Sequence, residues 1–148
     1  MAQGYVVLGA DHAGYPLKER ISAALHEQGY ECEDVGTHST ESCDYPEFAS
    51  RACRRVLERE VPGILICGSG LGMSMSANRF SGIRAALCGT EYAAKMARGH
   101  NDANVLCLGA RIIGEDLAWA IVEAFLGTGF QGGRHAKRVE LMDSLGSS

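Results

Sequence analysis

Short apolar runs alternate with helix-spaced stripes along this chain, and that alternation constrains its fold more than any other feature. A short, continuously apolar run suits a strand buried on both faces, and a helical segment between two such runs supplies the crossover that parallel pairing requires. The strands read from the sequence are Tyr5 to Ala10, Tyr30 to Val35, Gly63 to Cys67, Ile83 to Cys88 and Asn104 to Leu108. Between them Leu17, Ile21 and Leu25 repeat every four residues, and Phe48, Ala49, Ala52, Cys53, Val56 and Leu57 mark a second core-facing stripe. Leu117, Ile121, Val122 and Phe125 predict a third, which Gly127 and Gly129 end. The pattern predicts an α/β fold, a parallel sheet of five strands with helices on both faces. A last amphipathic helix is expected from about His135 to Leu145, carrying Val139, Leu141, Met142 and Leu145. The sheet does not need it, so it packs either on a partner subunit or on its own chain.

At 148 residues the chain fits one domain, residues 1–148, with a single core. A net charge of −4 and a pI near 5.7 leave no basic stripe for nucleic acid. No apolar run approaches the ~20 residues of a membrane span, and Met1 to Gly9 lacks the charged and apolar regions of an export signal. A cytoplasmic protein without nucleic-acid or membrane partners is therefore expected. The six cysteines are widely spaced with no C-x-x-C pair, which favours free thiols, and Cys53, Cys88 and Cys107 lie where cysteine serves as a small core residue. The five histidines show no spacing that sets two ligands on one helix face, so no metal site is expected.

In an open parallel sheet, ligands bind beyond the carboxyl ends of the strands. Two loops fall at such ends. Gly9-Ala10-Asp11-His12-Ala13-Gly14 leaves the first strand, but it lacks the middle glycine of a dinucleotide fingerprint and has Tyr15-Pro16 in place of the Lys-Ser/Thr of a P-loop. Asp11 has two readings, a helix cap or a functional carboxylate. Cys67-Gly68-Ser69-Gly70-Leu71-Gly72 follows the apolar run Ile64-Leu65-Ile66, and its alternating glycines allow N–H groups to converge as a nest for negative charge at a helix start. That charge is either a bound phosphate or an oxyanion formed during reaction. Cys67 sits at the mouth of the nest, where a thiolate would be favoured. The alternative is a cysteine that merely ends a buried strand. Further on, His100 is either a proton-transfer group or a surface or capping residue. Arg134 and Arg138 lie one helical turn apart, forming either a phosphate clamp or a solvated basic face.

Seven motifs occur in order: Gly9 to Gly14, Asp44-Tyr45-Pro46, Cys67 to Gly72, Ala77-Asn78-Arg79, Gly82-Ile83-Arg84-Ala85, His100-Asn101-Asp102-x-Asn104 and Gly132-Gly133-Arg134-His135. Together they resemble the ribose-5-phosphate isomerase B family, within the group that also contains allose- and galactose-phosphate isomerases. The resemblance implies a Rossmann-like three-layer domain without cofactor or metal, working as a homodimer or a dimer of dimers. It implies Cys67 as the base, Ser69 and the amides of Gly70, Leu71 and Gly72 as the holders of the enediolate oxygen, and Asp11 and His100 as the ring-opening pair. His12, Arg134 and Arg138 resemble the phosphate ligands, and Gly68, Asn101 and Arg111 match substrate-binding positions. A second branch of the family replaces the cysteine base by a glutamate that would align with Met73, which accepts no proton.

The implied activity is the interconversion of ribose 5-phosphate and ribulose 5-phosphate. A six-carbon substrate such as allose 6-phosphate, or a module that binds a nucleotide or sugar phosphate without turning it over, are the rival readings. Topology adds one expectation. Cys67 ends the third strand whereas His100 and Asn101 precede the fifth, so they belong to opposite edges of one parallel sheet, roughly 17 to 20 Å apart. A site using both is therefore predicted to be shared between two chains, closed by a two-fold axis.

Overall fold

The computed structural model describes residues 4–146. The elements are β1 (Gly4–Ala10), α1 (Tyr15–Glu27), β2 (Tyr30–Asp34), α2 (Tyr45–Arg59), β3 (Gly63–Cys67), α3 (Leu71–Ala77), β4 (Ala85–Leu87), α4 (Glu91–Gly99), β5 (Val105–Gly109), α5 (Glu115–Gly127) and α6 (Arg134–Ser144). All pairings are parallel, in the order β2-β1-β3-β5-β4, so β2 and β3 lie on opposite sides of β1, β4 forms the far edge and β5 returns to fill the place between β3 and β4. The crevice beyond the carboxyl ends of β1 and β3 is the topological switch point. Among the described residues, no helix is long and apolar enough to cross a membrane.

The central strands β3 and β5 are buried throughout, and their side chains divide by the two-residue period of a strand. Ile64, Ile66, Leu106 and Leu108 face Leu17, Ile21 and Leu25 of α1 and Ile121, Val122 and Phe125 of α5. Leu65, Cys67, Val105 and Cys107 face Phe48, Cys53 and Val56 of α2 and Met73 of α3. Alternation thus assigns Cys67 to the α2–α3 side. Met73 is fully buried in the same cluster, a core residue rather than a group available to a ligand.

Helix α1 approaches the sheet closely at its start. A Cβ on Gly14 would stand 2.3 Å from the Ile66 carbonyl oxygen, so only glycine fits there. One turn later Lys18 is fully buried, with its ammonium on the Asp34 carboxylate at the end of β2. The other Asp34 oxygen, Oδ1, accepts the Gly36 N–H at 2.8 Å.

Three expectations are corrected. Strand β4 runs only from Ala85 to Leu87, because the Arg84 N–H is taken by Asn104 Oδ1 at 2.8 Å and Ile83 N–H by the Phe80 carbonyl in a turn. On α5 the buried stripe is Ala118, Ile121, Val122 and Phe125, whereas Leu117 is 39% exposed at its margin. Leu57 likewise ends α2's stripe partly in solvent. Of the two packings open to the last helix, its own chain covers little: α6 buries His135 and Val139, while Leu141, Met142 and the following Leu145 are exposed.

Candidate active site

The loops leaving β1 and β3 meet at the switch point. The Asp11 N–H donates to the Ile66 carbonyl at 3.2 Å, and the carboxylate Oδ1 accepts the Gly14 N–H at 3.0 Å. Asp11 therefore braces its own turn through Oδ1. His12 is fixed from a third segment, since its Nδ1 accepts the Cys43 N–H at 3.1 Å. With Nδ1 used as an acceptor, the neutral ring carries its proton on Nε2, which is then a donor.

Gly70 adopts φ +80° as the residue that opens α3, a left-handed conformation natural to glycine. The turn so formed aims the Gly70 N–H at Cys67 Sγ, 3.2 Å away, and lets Ser69 Oγ accept the Leu71 N–H at 3.2 Å. Farther along the first turn of α3, the N–H groups of Gly72 and Met73 have no acceptor inside the helix, because a helix start offers none. Parallel register carries the exit of β5 to this point. Cys67 pairs with Gly109, Ala110 N–H donates to the Cys67 carbonyl and Arg111 N–H to the Gly68 carbonyl, both at 2.9 Å. The Arg111 guanidinium of the same chain lies against Gly68, where an added Cβ would be 3.2 Å from Nη1. Asp11, His12, Cys67 to Gly72 and Arg111 are thus brought together.

His100, Asn101, Arg134 and Arg138 are not brought to that group within one chain. His100 ends α4, before β5 begins at Val105, and so lies beyond the amino edge of the sheet. Each strand residue advances ~3.3 Å, so β3 alone separates the two edges by roughly 13 Å. There the His100 ring stacks on His135 with centroids 4.1 Å apart and planes 11° from parallel. Burial, and then the neighbouring His100, Arg134 and Arg138, push the His135 imidazole below its ordinary value. The stack joins the His100-Asn101 loop to α6, whose Arg134 and Arg138 are exposed. Among the described residues neither arginine forms an ion pair.

All six cysteines are free. Burial pushes the Cys53 thiol up to about 12 and Cys88 to about 11, and Cys107 is raised well above its ordinary value. Sequence reasoning did not find the Cys43 amide on His12, the His100–His135 stack, or the contact of Tyr45 with Gly72, where a Cβ would fall 2.4 Å from the ring. The Asp44-Tyr45-Pro46 motif was the one available signal for the last.

The sequence pattern of the Ribose/Galactose Isomerase family matches residues 6–142. Ribose-5-phosphate isomerase B of Escherichia coli is 48% identical over 141 residues, covering 95% of this chain and 95% of that protein. The solved ribose-5-phosphate isomerase B of Clostridium thermocellum has a TM-score of 0.94 at 49% identity, covering 95% of this chain and 96% of that one. The enzyme of that name from Mycoplasma genitalium, solved with bound ribulose 5-phosphate, has a TM-score of 0.91 at 36% identity, covering 97% of this chain and 96% of that one. Fold and likeness together define the class as isomerase. The chain belongs to the ribose/galactose isomerase family.

Proposed function

We propose that this chain interconverts ribose 5-phosphate and ribulose 5-phosphate, acting as a single domain with Cys67 as the base. The observation that carries the reading is Cys67 at the switch point, its sulfur under the Gly70 N–H and beside the open end of α3. Asp11 and His100 open the sugar ring: one proton leaves the anomeric hydroxyl, one reaches the ring oxygen, and the C–O bond between them breaks. The Cys67 thiolate then takes the proton from C2, and the electron pair moves to O1 as an enediolate. Ser69 and the amides of Gly70, Leu71 and Gly72 hold the developing oxyanion, each well-placed donor contributing on the order of 3 to 4 kcal/mol. The thiol returns the proton to C1, the carbonyl forms at C2, and a proton passes from O2 to O1. His12 through Nε2, with Arg134 and Arg138, binds the phosphate, and Gly68, Asn101 and Arg111 orient the chain of the sugar.

His100, Asn101, Arg134 and Arg138 act from a second copy of the chain, in a homodimer or dimer of dimers, because their own edge lies too far from their own Cys67. The apolar residues that α6 leaves exposed suit such a contact. The names of the relatives favour the five-carbon substrate over allose 6-phosphate, and Cys67 under a donor favours turnover over passive binding. A cytoplasmic setting fits this chemistry.

The test mixes inactive Cys67→Ala and His100→Asn proteins with subunit exchange and follows ribulose 5-phosphate formation. Hybrid dimers hold one site with both native groups, so about a quarter of wild-type activity is expected. Activity no higher than that of the parents, with exchange verified by native mass spectrometry, refutes the shared site.

A further inference from the structure

Arg84 has no part in the roles assigned above, yet its side chain joins the two segments proposed to serve the second copy. It stands just before β4, and its Nε donates to the Asp102 carbonyl at 2.9 Å and its Nη2 to Asp102 Oδ2 at 3.4 Å. The remaining arm, Nη1, reaches Asp143 on α6 at 3.0 and 3.3 Å. Asp102 directly follows His100 and Asn101 and has a left-handed backbone, φ +48°, which a non-glycine residue holds only when its surroundings fix it. Arg98 completes the hold, with Nη1 on Asp102 Oδ1 at 2.9 Å and on the Ala103 carbonyl at 2.7 Å. Helix α6, in turn, has little else to hold it, since only His135 and Val139 are buried.

We propose that Arg84 is a positioning residue that locks the His100-Asn101 loop and α6 into one rigid unit, the unit that completes the active site of the other subunit. The proposal rests on the shared-site reading. A planar guanidinium meets both requirements because its fork directs donors to two carboxylates at once, which a lysine ammonium on a flexible stem does not do. Without the lock, the ring of His100 and the guanidinium groups of Arg134 and Arg138 lose their fixed separation. The defect is then felt at the Cys67 of the neighbouring chain, not at that of the mutated one.

That directionality separates a lock from a general loss of stability. Arg84→Gln is expected to lower kcat by tenfold or more and raise KM, and Arg84→Lys to recover only part of either. Mixing Arg84→Gln with Cys67→Ala should restore at least about a quarter of wild-type activity. The hybrid's one complete site takes Cys67 from the Arg84→Gln chain and an intact His100–α6 unit from the other. If this mixture stays at the mean of its parents while Cys67→Ala with His100→Asn recovers, Arg84 acts within its own chain and the proposal is overturned. If neither mixture recovers, the shared-site reading falls and takes the proposal with it. Should Arg84→Gln not fold, Asp143→Asn at the exposed end of the lock replaces it. A raised KM that Cys67→Ala complements supports the lock, and an unchanged KM overturns it.

Discussion

Replacing Gly70 by alanine tests whether the turn that aims an N–H at Cys67 is required for both the fold and the reaction. At φ +80° an alanine incurs the left-handed cost, about 1 to 2 kcal/mol. Its Cβ would also stand 2.5 Å from Leu87 Cδ1, 2.9 Å from the Leu108 carbonyl carbon and 3.1 Å from its oxygen. Leu87 is 39% exposed and can turn aside, but Leu108 is backbone in a central buried strand and cannot. Overpacking of this kind adds about 1 to 3 kcal/mol, for a total of about 2 to 5 kcal/mol. At about 2 to 4 °C per kcal/mol for a domain of this size, the melting temperature should drop by about 4 to 20 °C. The loop yields by moving off Leu108, which also carries the Gly70 N–H away from Cys67 Sγ, now 3.2 Å from it. Loss of one oxyanion donor is worth about 10² to 10³ in kcat. The control is Gly129→Ala in the exposed stretch after α5, where an added Cβ meets nothing within 4 Å. Melting by circular dichroism and turnover of ribose 5-phosphate measure the two effects. A Gly70→Ala protein that melts with the control and keeps kcat within threefold of wild type refutes both the strain and the donor role.

Three other outcomes are expected. Arg138→Ala should weaken a phosphorylated inhibitor by the value of one charge-assisted contact, about 1.5 to 3 kcal/mol, and leave an unphosphorylated analogue nearly unaffected in calorimetry; equal weakening of both makes the residue structural. The His135 imidazole is held below its ordinary 6.5, so as the pH falls under that value the unfolded chain takes up a proton that the folded ring refuses, and stability declines until the lowered folded value is passed. His135→Phe keeps the stack without the titration, so urea unfolding between pH 7.5 and 5 should show a shallower decline than wild type, and identical slopes would refute the assignment. Iodoacetamide at pH 8 should spare Cys53 and Cys88, whose thiols are pushed up to about 12 and 11, while activity falls in step with labelling of Cys67 and more slowly under saturating inhibitor. Peptide mapping decides, and loss of activity that tracks Cys53 instead would overturn it.

The layered sheet was legible because burial on both faces leaves strands such as Ile64-Leu65-Ile66 almost no polar residues, a signal that needs no knowledge of the partners. The ends were less legible. Asn104 takes the Arg84 N–H with a side chain, so β4 starts later than its apolar run, and no local pattern foretells that. Ala118 is too small to stand out in a stripe, so the larger Leu117 drew the reading one residue away. The glycine spacing after Cys67 pointed to a turn with converging amides, and Gly70 has the positive φ that such a turn needs. The roles of Asp11, Arg134 and Arg138 came from resemblance, because each had an ordinary reading of its own, and the role of His12 had no other source. Contacts such as His12 with Cys43 and Arg84 with Asp143 span 31 and 59 positions, and no spacing rule joins residues so far apart.

The buried Lys18–Asp34 pair gives sequence divergence at these two positions a direction. Lys18 is fully buried, while the Asp34 side chain is 25% exposed and holds the Gly36 N–H as well. If Lys18 is lost first, for example to methionine, Asp34 keeps access to water and a hydrogen bond, and the stem of the new side chain still fills the space. If Asp34 is lost first, the ammonium is left inside with only Glu19 at 3.5 Å and the face of Tyr15 at 5.3 Å. Breaking a buried pair from that side costs about 3 to 5 kcal/mol, a large part of the stability of a small domain. A lineage can therefore leave this pairing through the lysine but scarcely through the aspartate, and once Lys18 is apolar a change at Asp34 becomes far milder. The two sites are epistatic, and the order of replacement is written in which of the two charges can still reach water.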